Sequence, residues 1–271
     1  MSQSNRDGFT LIELLVSVAI VGILIALLVP ALSLGKGFAR SISCKNHLHQ
    51  MGIALQMYVH DNQDKYPYYL GPAGPSYGDA TETGGRATNL VYWSSKLFPY
   101  YPLNWTNRSF QCPGYGGKVS GPYLTGAIDR LGSYAYNAFG ARIDDRANEY
   151  YGLGPVLFWK DDRGNHVPAV ADAQIVTPAE LLAIGDSAMM LDGAPGSGLG
   201  FTTPMIGGDD FWRCDLNAWG WLYVTRHGKK YNQLLCDGHV SSMTPSLFFN
   251  PSNTAAMWNY DHQPHPELWA R

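Results

Sequence analysis

"GFTLIELLVSVAIVGILIALLVP", Gly8 to Pro30, follows directly on a short polar leader, the chain opening "MSQSNRDG". No charged residue occurs from Leu14 to Leu34. Wound as an α-helix, that run is roughly 31 Å long, about one hydrocarbon thickness. A membrane span is the reading this length predicts. A cleaved secretory signal fits poorly, because the leader has no clear basic region, the apolar run is too long, and no small-residue cleavage site closes it. Glu13 is the anomaly. A carboxylate at membrane depth costs about 2.5–3.5 kcal/mol unless it is partnered, although at headgroup level the cost is small. An acid near a helix N-terminus is also favoured by the helix dipole.

"GFTLIE" followed by an apolar helix resembles the class III signal of type IV pilins and type II secretion pseudopilins. The resemblance implies that a prepilin peptidase cuts between Gly8 and Phe9 and that Phe9 is then N-methylated. It further implies that Glu13 neutralises the Phe9 amine of an adjacent subunit during assembly. Gly22 and Pro30 fall where the family has a glycine and a helix-kinking proline. The implied partners are copies of the chain or other pilins. The implied course is an inner-membrane precursor with its head in the periplasm, then an extracellular or envelope filament. Basic residues alone argue the other way, since Arg6 stands against Asp7 before the span while Lys36, Arg40 and Lys45 follow it. That count would put the C-terminal side in the cytoplasm. Large domains translocate largely regardless of such charges, and the family orientation takes precedence.

The 271 residues suffice for one large or two modest domains, and 30 Gly with 17 Pro predict a loop-rich body. Seventeen Tyr and 8 Trp supply core volume despite the turns. A net charge of −3 without any basic stripe gives no reason to expect a nucleic-acid partner. Cys44, Cys112, Cys214 and Cys236 are widely spaced, which argues against a zinc ribbon and allows two disulfides outside the cytoplasm.

Beyond Pro30 the helical period resumes. Cys44, Leu48, Met51, Leu55 and Tyr58 fall at steps of four and three and form one apolar seam, with His47, His49, Gln50 and His60 mostly off it. Gly35 and Gly37 mark a possible loosened turn, and the helix should end near Asn62, ahead of Tyr66-Pro67. The remainder alternates short aromatic pieces with Gly/Pro-rich loops, around Leu70–Arg86 and after Asp192. "TPAELLAIGDS" reads as turn then strand, and "YNQLLCDGHVSSM" as strand, Asp-Gly turn, strand. The C-terminal stretch from Asn250 reads as a short irregular or helical tail. The expected fold is therefore α+β, a long N-terminal helix packed on a mostly antiparallel head. The expected divisions are a leader at 1–8, a transmembrane and filament-core helix at 9–35, its amphipathic half at 36–65, and a β head at 66–271.

The signature around His227, nine further residues, then Asp237-Gly238, resembles that of a large pilin-like group ending in an H-x9-DG pattern. "CKNHLHQ" from Cys44, "YP" at Tyr66, "FQCP" from Phe110, "SYAYN" from Ser133 and "PAELLAIGD" ending at Asp186 match it too. Cys44 and Cys112 both lie in matching motifs, so the resemblance implies a bridge between them, with Cys214 and Cys236 as a second pair. As for ligands, His227, Asp237 and His239 with Asp186 could form a divalent-metal site. The rival reading is simpler: Asp237 caps its own turn, Gly238 supplies positive φ, and His227 is a hydrogen-bonded loop residue. A calcium loop is a separate possibility at Asp209, Asp210 and Asp215, without EF-hand spacing. His262 and His265 with Asp261 could bind metal, although a solvated tail is the simpler reading. The rings of Tyr92, Trp93, Phe98, Tyr100, Tyr101 and Trp105 suit sugar stacking or subunit contact, but ordinary core use explains them first.

No nucleophile elbow, zinc-protease helix or phosphate loop is present, so the chain reads as a structural subunit and not an enzyme. Two other readings stand beside it. One is a minor pseudopilin that primes a secretion machine. The other is a membrane-tethered binding protein whose head recognises polysaccharide or metal.

Overall fold

The computed structural model describes residues 10–72, 90–102, 108–115, 133–141, 150–154, 167–186, 189–190, 205–206, 221–222, 227–228, 230–248 and 250–269. Its first element is a single helix, α1, Leu11–Asp61. The loosened turn expected at Gly35 and Gly37 does not form, and Pro30 lies inside the helix. One glycine costs only about 1 kcal/mol in a helix, too little to end one this long. Ser17 and Ser33 return their hydroxyls to the carbonyls of Leu14 and Pro30, both at 2.8 Å, so neither leaves a polar group unpaired on an apolar surface. The helix stops where expected. Gln63 and Asp64 take positive φ, Asn62 Nδ2 donates to the Tyr58 carbonyl, and the chain leaves through Tyr66-Pro67.

The chain divides between Ala39 and Arg40 into two units. In the first, the described residues 10–39 are exposed along their whole length. In the second, the seam is buried as its period predicts, Cys44, Leu48, Met51, Leu55 and Tyr58 being nearly inaccessible. His47 is half-buried and meets the Tyr134 hydroxyl at 3.3 Å, so it borders the seam instead of lying off it.

Among the described residues nine short strands follow: β1 Leu70–Pro72, β2 Leu90–Tyr92, β3 Tyr134–Asn137, β4 Leu182–Asp186, β5 Met189–Met190, β6 Met205–Ile206, β7 Trp221–Leu222, β8 Tyr231–Leu235 and β9 Val240–Met243. The main sheet has the order β6-β3-β4-β8-β9. Its last four strands pair antiparallel, and β6 adds in parallel at the edge of β3. β1 pairs with β2, and β5 with β7, as separate antiparallel ribbons. The described part of the head also holds short helices α2 Trp93–Leu97, α3 Pro245–Phe248, α4 Pro251–Trp258 and α5 Pro266–Trp269.

The sheet is covered on both faces, which is why β3, β4 and β8 are buried at every position. On one face the α1 seam packs with Tyr134, Tyr136, Ile184 and Leu234. A Cβ on Gly52 would come 2.8 Å from Leu234 Cδ1, so this glycine lets the helix backbone settle close on β8. On the other face Ala135, Leu182 and Tyr231 meet Phe248, Ala255 and Trp258. Trp258 is only 1% exposed. The C-terminal stretch is therefore a second covering layer and not a solvated tail. Asn137 at the end of β3 holds that layer down, its Nδ2 donating to the carbonyls of Leu182 and Trp258.

Candidate functional site

Among the described residues two places carry chemistry, and the first is the start of α1. Thr10 stands immediately before the helix and Glu13 is its third residue. The Thr10 backbone N–H and hydroxyl both donate to Glu13 Oε2, at 2.9 and 2.8 Å, and the Glu13 N–H donates to Thr10 Oγ1 at 3.3 Å. This reciprocal pattern is a capping box, satisfying N–H groups that the first turn otherwise leaves open. The acid therefore has a local task as well as the one its family resemblance implies. The Thr-x-x-Glu spacing was visible in the sequence and is the signal that the charge argument passed over.

The second place lies inside the head, beneath the seam. Cys44 projects from α1 and Cys112 from the loop after a 3-10 turn at Arg108–Phe110. Asp186 ends β4, and His227 sits in the turn before β8. Each is held locally. The Cys112 N–H donates to Ser133 Oγ at 2.6 Å and the Ser133 N–H to Gln111 Oε1 at 2.8 Å, tying the cysteine loop to the start of β3. Asp186 Oδ2 accepts the Asn232 N–H at 2.8 Å. His227 and Gly228 take positive φ of 53° and 70°, a strained turn for a histidine.

One ligand-type atom from each of Cys44, Cys112, Asp186 and His227 lies within 4.8 Å of the other three. Cys112 Sγ is 3.1 Å from His227 Nε2, Cys44 Sγ donates to Asp186 Oδ1 at 3.4 Å, and His227 Nε2 is 3.5 Å from Asp186 Oδ2. The His227 and Asp186 side chains are 1% and 0% exposed. Burial pushes the Cys44 thiol well above its ordinary range, with the Cys112 contact and the Asp186 charge acting the same way. Burial works to lower His227, but its hydrogen bonds to Asp186 and Cys112 outweigh it and bring the imidazole up to about 9.

Residues 3–29 match the family model for the prokaryotic N-terminal methylation motif, and residues 36–105 match a protein family of unknown function, DUF1559. A segment of 62 residues is 40% identical to the type II secretion system core protein G of Pseudomonas aeruginosa. It covers 23% of this chain and 44% of that protein. No solved structure matches. The N-terminal stretch carries a prepilin-type methylation motif.

Within that motif, Gly8 and Phe9 lie outside the described residues. Gly22 has open space around it, and Pro30 sits on the same exposed apolar stretch as Glu13. The four residues named as a candidate metal set separate into two environments. Asp186 and His227 are buried, whereas Asp237 and His239 are at the exposed tip of the β8–β9 hairpin. There the Asp237 carboxylate accepts the His239 N–H at 3.1 Å and meets His239 Nδ1 at 2.8 Å, while Gly238 takes a φ of 93°. The hairpin tip shows the turn chemistry of an Asp-Gly pair. Sequence reasoning reached half of the buried cluster and missed Cys44 and Cys112 as its other members.

The bridge expected between Cys44 and Cys112 is not formed. Neither sulfur is in a disulfide, although the two lie within 4.8 Å of each other. Cys236 is also free and buried, and its expected partner Cys214 lies outside the described residues, as do Asp209, Asp210, Asp215 and Trp105. Of the aromatic group, Trp93 is buried and stacks on Tyr136 at 5.3 Å, Tyr100 and Tyr101 pack against the core, and Phe98 is exposed. His265 stacks on Tyr151 at 3.7 Å and meets Asp261 at 2.7 Å, while His262 pairs with Glu180 at 3.1 Å.

Proposed function

We propose that this chain is a structural subunit of a type IV pilus-like or pseudopilus filament, cut between Gly8 and Phe9 and N-methylated at Phe9. The observation that carries the reading is the methylation motif at residues 3–29 joined to a helix whose apolar side chains are exposed from Leu11 to Leu34. Among the described residues α1 is the one helix long and apolar enough to cross a membrane. Burying one large aliphatic side chain is worth about 1.5–3 kcal/mol. A surface of this size therefore requires a bilayer before assembly and neighbouring copies of the helix after it. Both are supplied by a precursor anchored in the inner membrane that packs into a filament core, with its head in the periplasm. Similarity to a secretion core protein supports a stacking subunit over a separate enzyme.

The test is mass spectrometry of the N-terminal peptide of the protein from its native host. A chain beginning at N-methylated Phe9 is expected. An intact Met1 start would overturn the reading and favour a tethered binding protein.

A further inference from the structure

We propose that Cys44, Cys112, Asp186 and His227 form a closed structural site for a thiophilic divalent cation of zinc's class, which staples the amphipathic half of α1 to the sheet. The four side chains come from four separate elements. Cys44 and Asp186 are 142 residues apart, and Cys112 and His227 are 115 apart. Bond lengths of about 2.0–2.1 Å to nitrogen or oxygen and about 2.3 Å to sulfur imply tetrahedral ligand separations of roughly 3.3–3.8 Å. The Cys112–His227 separation of 3.1 Å, and those of 3.4 Å from Cys44 to Asp186 Oδ1 and 3.5 Å from His227 to Asp186 Oδ2, fall on or within a few tenths of that range, and with one atom taken from each residue no separation exceeds 4.8 Å. Small side-chain shifts complete the tetrahedron.

Ligand chemistry selects the ion. Two sulfurs and an imidazole suit zinc and are unsuited to calcium or magnesium, which take oxygen. All four ligands are protein groups, and the side chains of Asp186 and His227 are sealed from solvent. Such a closed set fits a structural centre, whereas a catalytic one keeps a position open. His227 points Nε2 at the cluster, so a neutral ring protonated on Nδ1 leaves the Nε2 lone pair for the ion. Entry of the cation sends the two thiol protons, and the imidazolium proton where present, to solvent, and no electron moves.

Two other arrangements of the same residues compete. A Cys44–Cys112 disulfide uses only the sulfurs and leaves Asp186 and His227 outside it. A buried Asp186–His227 ion pair needs neither sulfur. The direct contacts link the four only in pairs, whereas a metal draws one atom of each to a common centre.

The experiment is elemental analysis of the full chain, purified in mild detergent without chelator or oxidant, with thiols counted after denaturation. About one zinc per chain is expected, with Cys44 and Cys112 alkylated only after a chelator or denaturant is added. Cobalt(II) exchanged into the unaltered chain should show thiolate charge-transfer bands and tetrahedral ligand-field absorption. Cys112→Ser should weaken zinc binding by more than the roughly 100-fold that losing an outer hydrogen-bond partner of a ligand costs. Cys236→Ser should leave the metal content unchanged. Should Cys112→Ser fail to fold, the cobalt spectrum still decides. A metal-free chain that takes up neither ion, or one isolated with a Cys44–Cys112 disulfide, would overturn the proposal. Processing at Gly8 is read from a different peptide, so failure here leaves the filament reading standing.

Discussion

Replacing Glu13 with glutamine separates the two tasks the structure and the family resemblance give that residue. Glutamine is an accepted partner in a capping box, so Glu13→Gln can keep the contacts with Thr10 at 2.8–3.3 Å while losing the charge. Thr10→Ala does the reverse. It removes the hydroxyl from the cap but keeps the carboxylate, and losing an N-cap side chain typically costs about 1 kcal/mol. That is roughly a fivefold change in an assembly equilibrium, taking 1.4 kcal/mol as tenfold. If the carboxylate instead neutralises a Phe9 amine in a neighbouring subunit, Glu13→Gln leaves a charge unpaired at membrane depth, at about 2.5–3.5 kcal/mol. The filament-to-membrane ratio should then fall by about two orders of magnitude. The assay compares chain in sheared surface material with the pool left in the inner membrane, after mass spectrometry has shown equal processing. Glu13→Ala should lose both tasks and assemble worst. Filament yield from Glu13→Gln equal to that of the unaltered chain would refute the charge-pairing argument and leave Glu13 as a cap alone.

Trp258→Ala should destabilise the head by about 3–5 kcal/mol, the usual cost of emptying a large buried aromatic site, seen as a lower urea midpoint by circular dichroism. An unchanged midpoint would mean that α4 does not cover the sheet. His265 should make stability depend on pH. Burial works to lower its pKa, but hydrogen bonds and charge from Asp261 and Glu267 outweigh it and raise it above the ordinary 6.5. The folded state thus holds the proton more tightly than the unfolded one. Its stabilising contribution is complete below about 6.5 and fades as pH rises through the higher folded value. The gap in urea midpoint between the unaltered chain and His265→Gln should therefore be wider at about pH 6 than at about pH 9. An equal gap at both would exclude the ion pairs as its cause.

Local pattern determined a good deal by itself. An uncharged run as long as a bilayer is thick can be only a few things, and α1 keeps its helix through Gly35 because chain length outweighs single propensities. The Cys44-to-Tyr58 seam was legible because a 3.6-residue period places those side chains on one face whatever they pack against. The β8–β9 hairpin was legible because Asp237-Gly238 carries its own turn chemistry, and the cap at Thr10 and Glu13 could have been read on the same grounds.

Tertiary structure alone decided the rest. Nothing local distinguishes Trp258 in a tail from Trp258 in a core. The contact is made by the far face of β3 and β4, and strands buried on both faces lose the alternation that would announce them. The Cys44–Cys112–Asp186–His227 cluster is the extreme case. Its members sit in separate motifs, and the spacing rules that reveal metal sites work only when ligands share a turn or a helix. Here the distances are set by where α1 meets the sheet, an approach that Gly52 permits at Leu234. Periodicity records which face of an element is buried, but which side chains meet across the interface depends on how the elements dock.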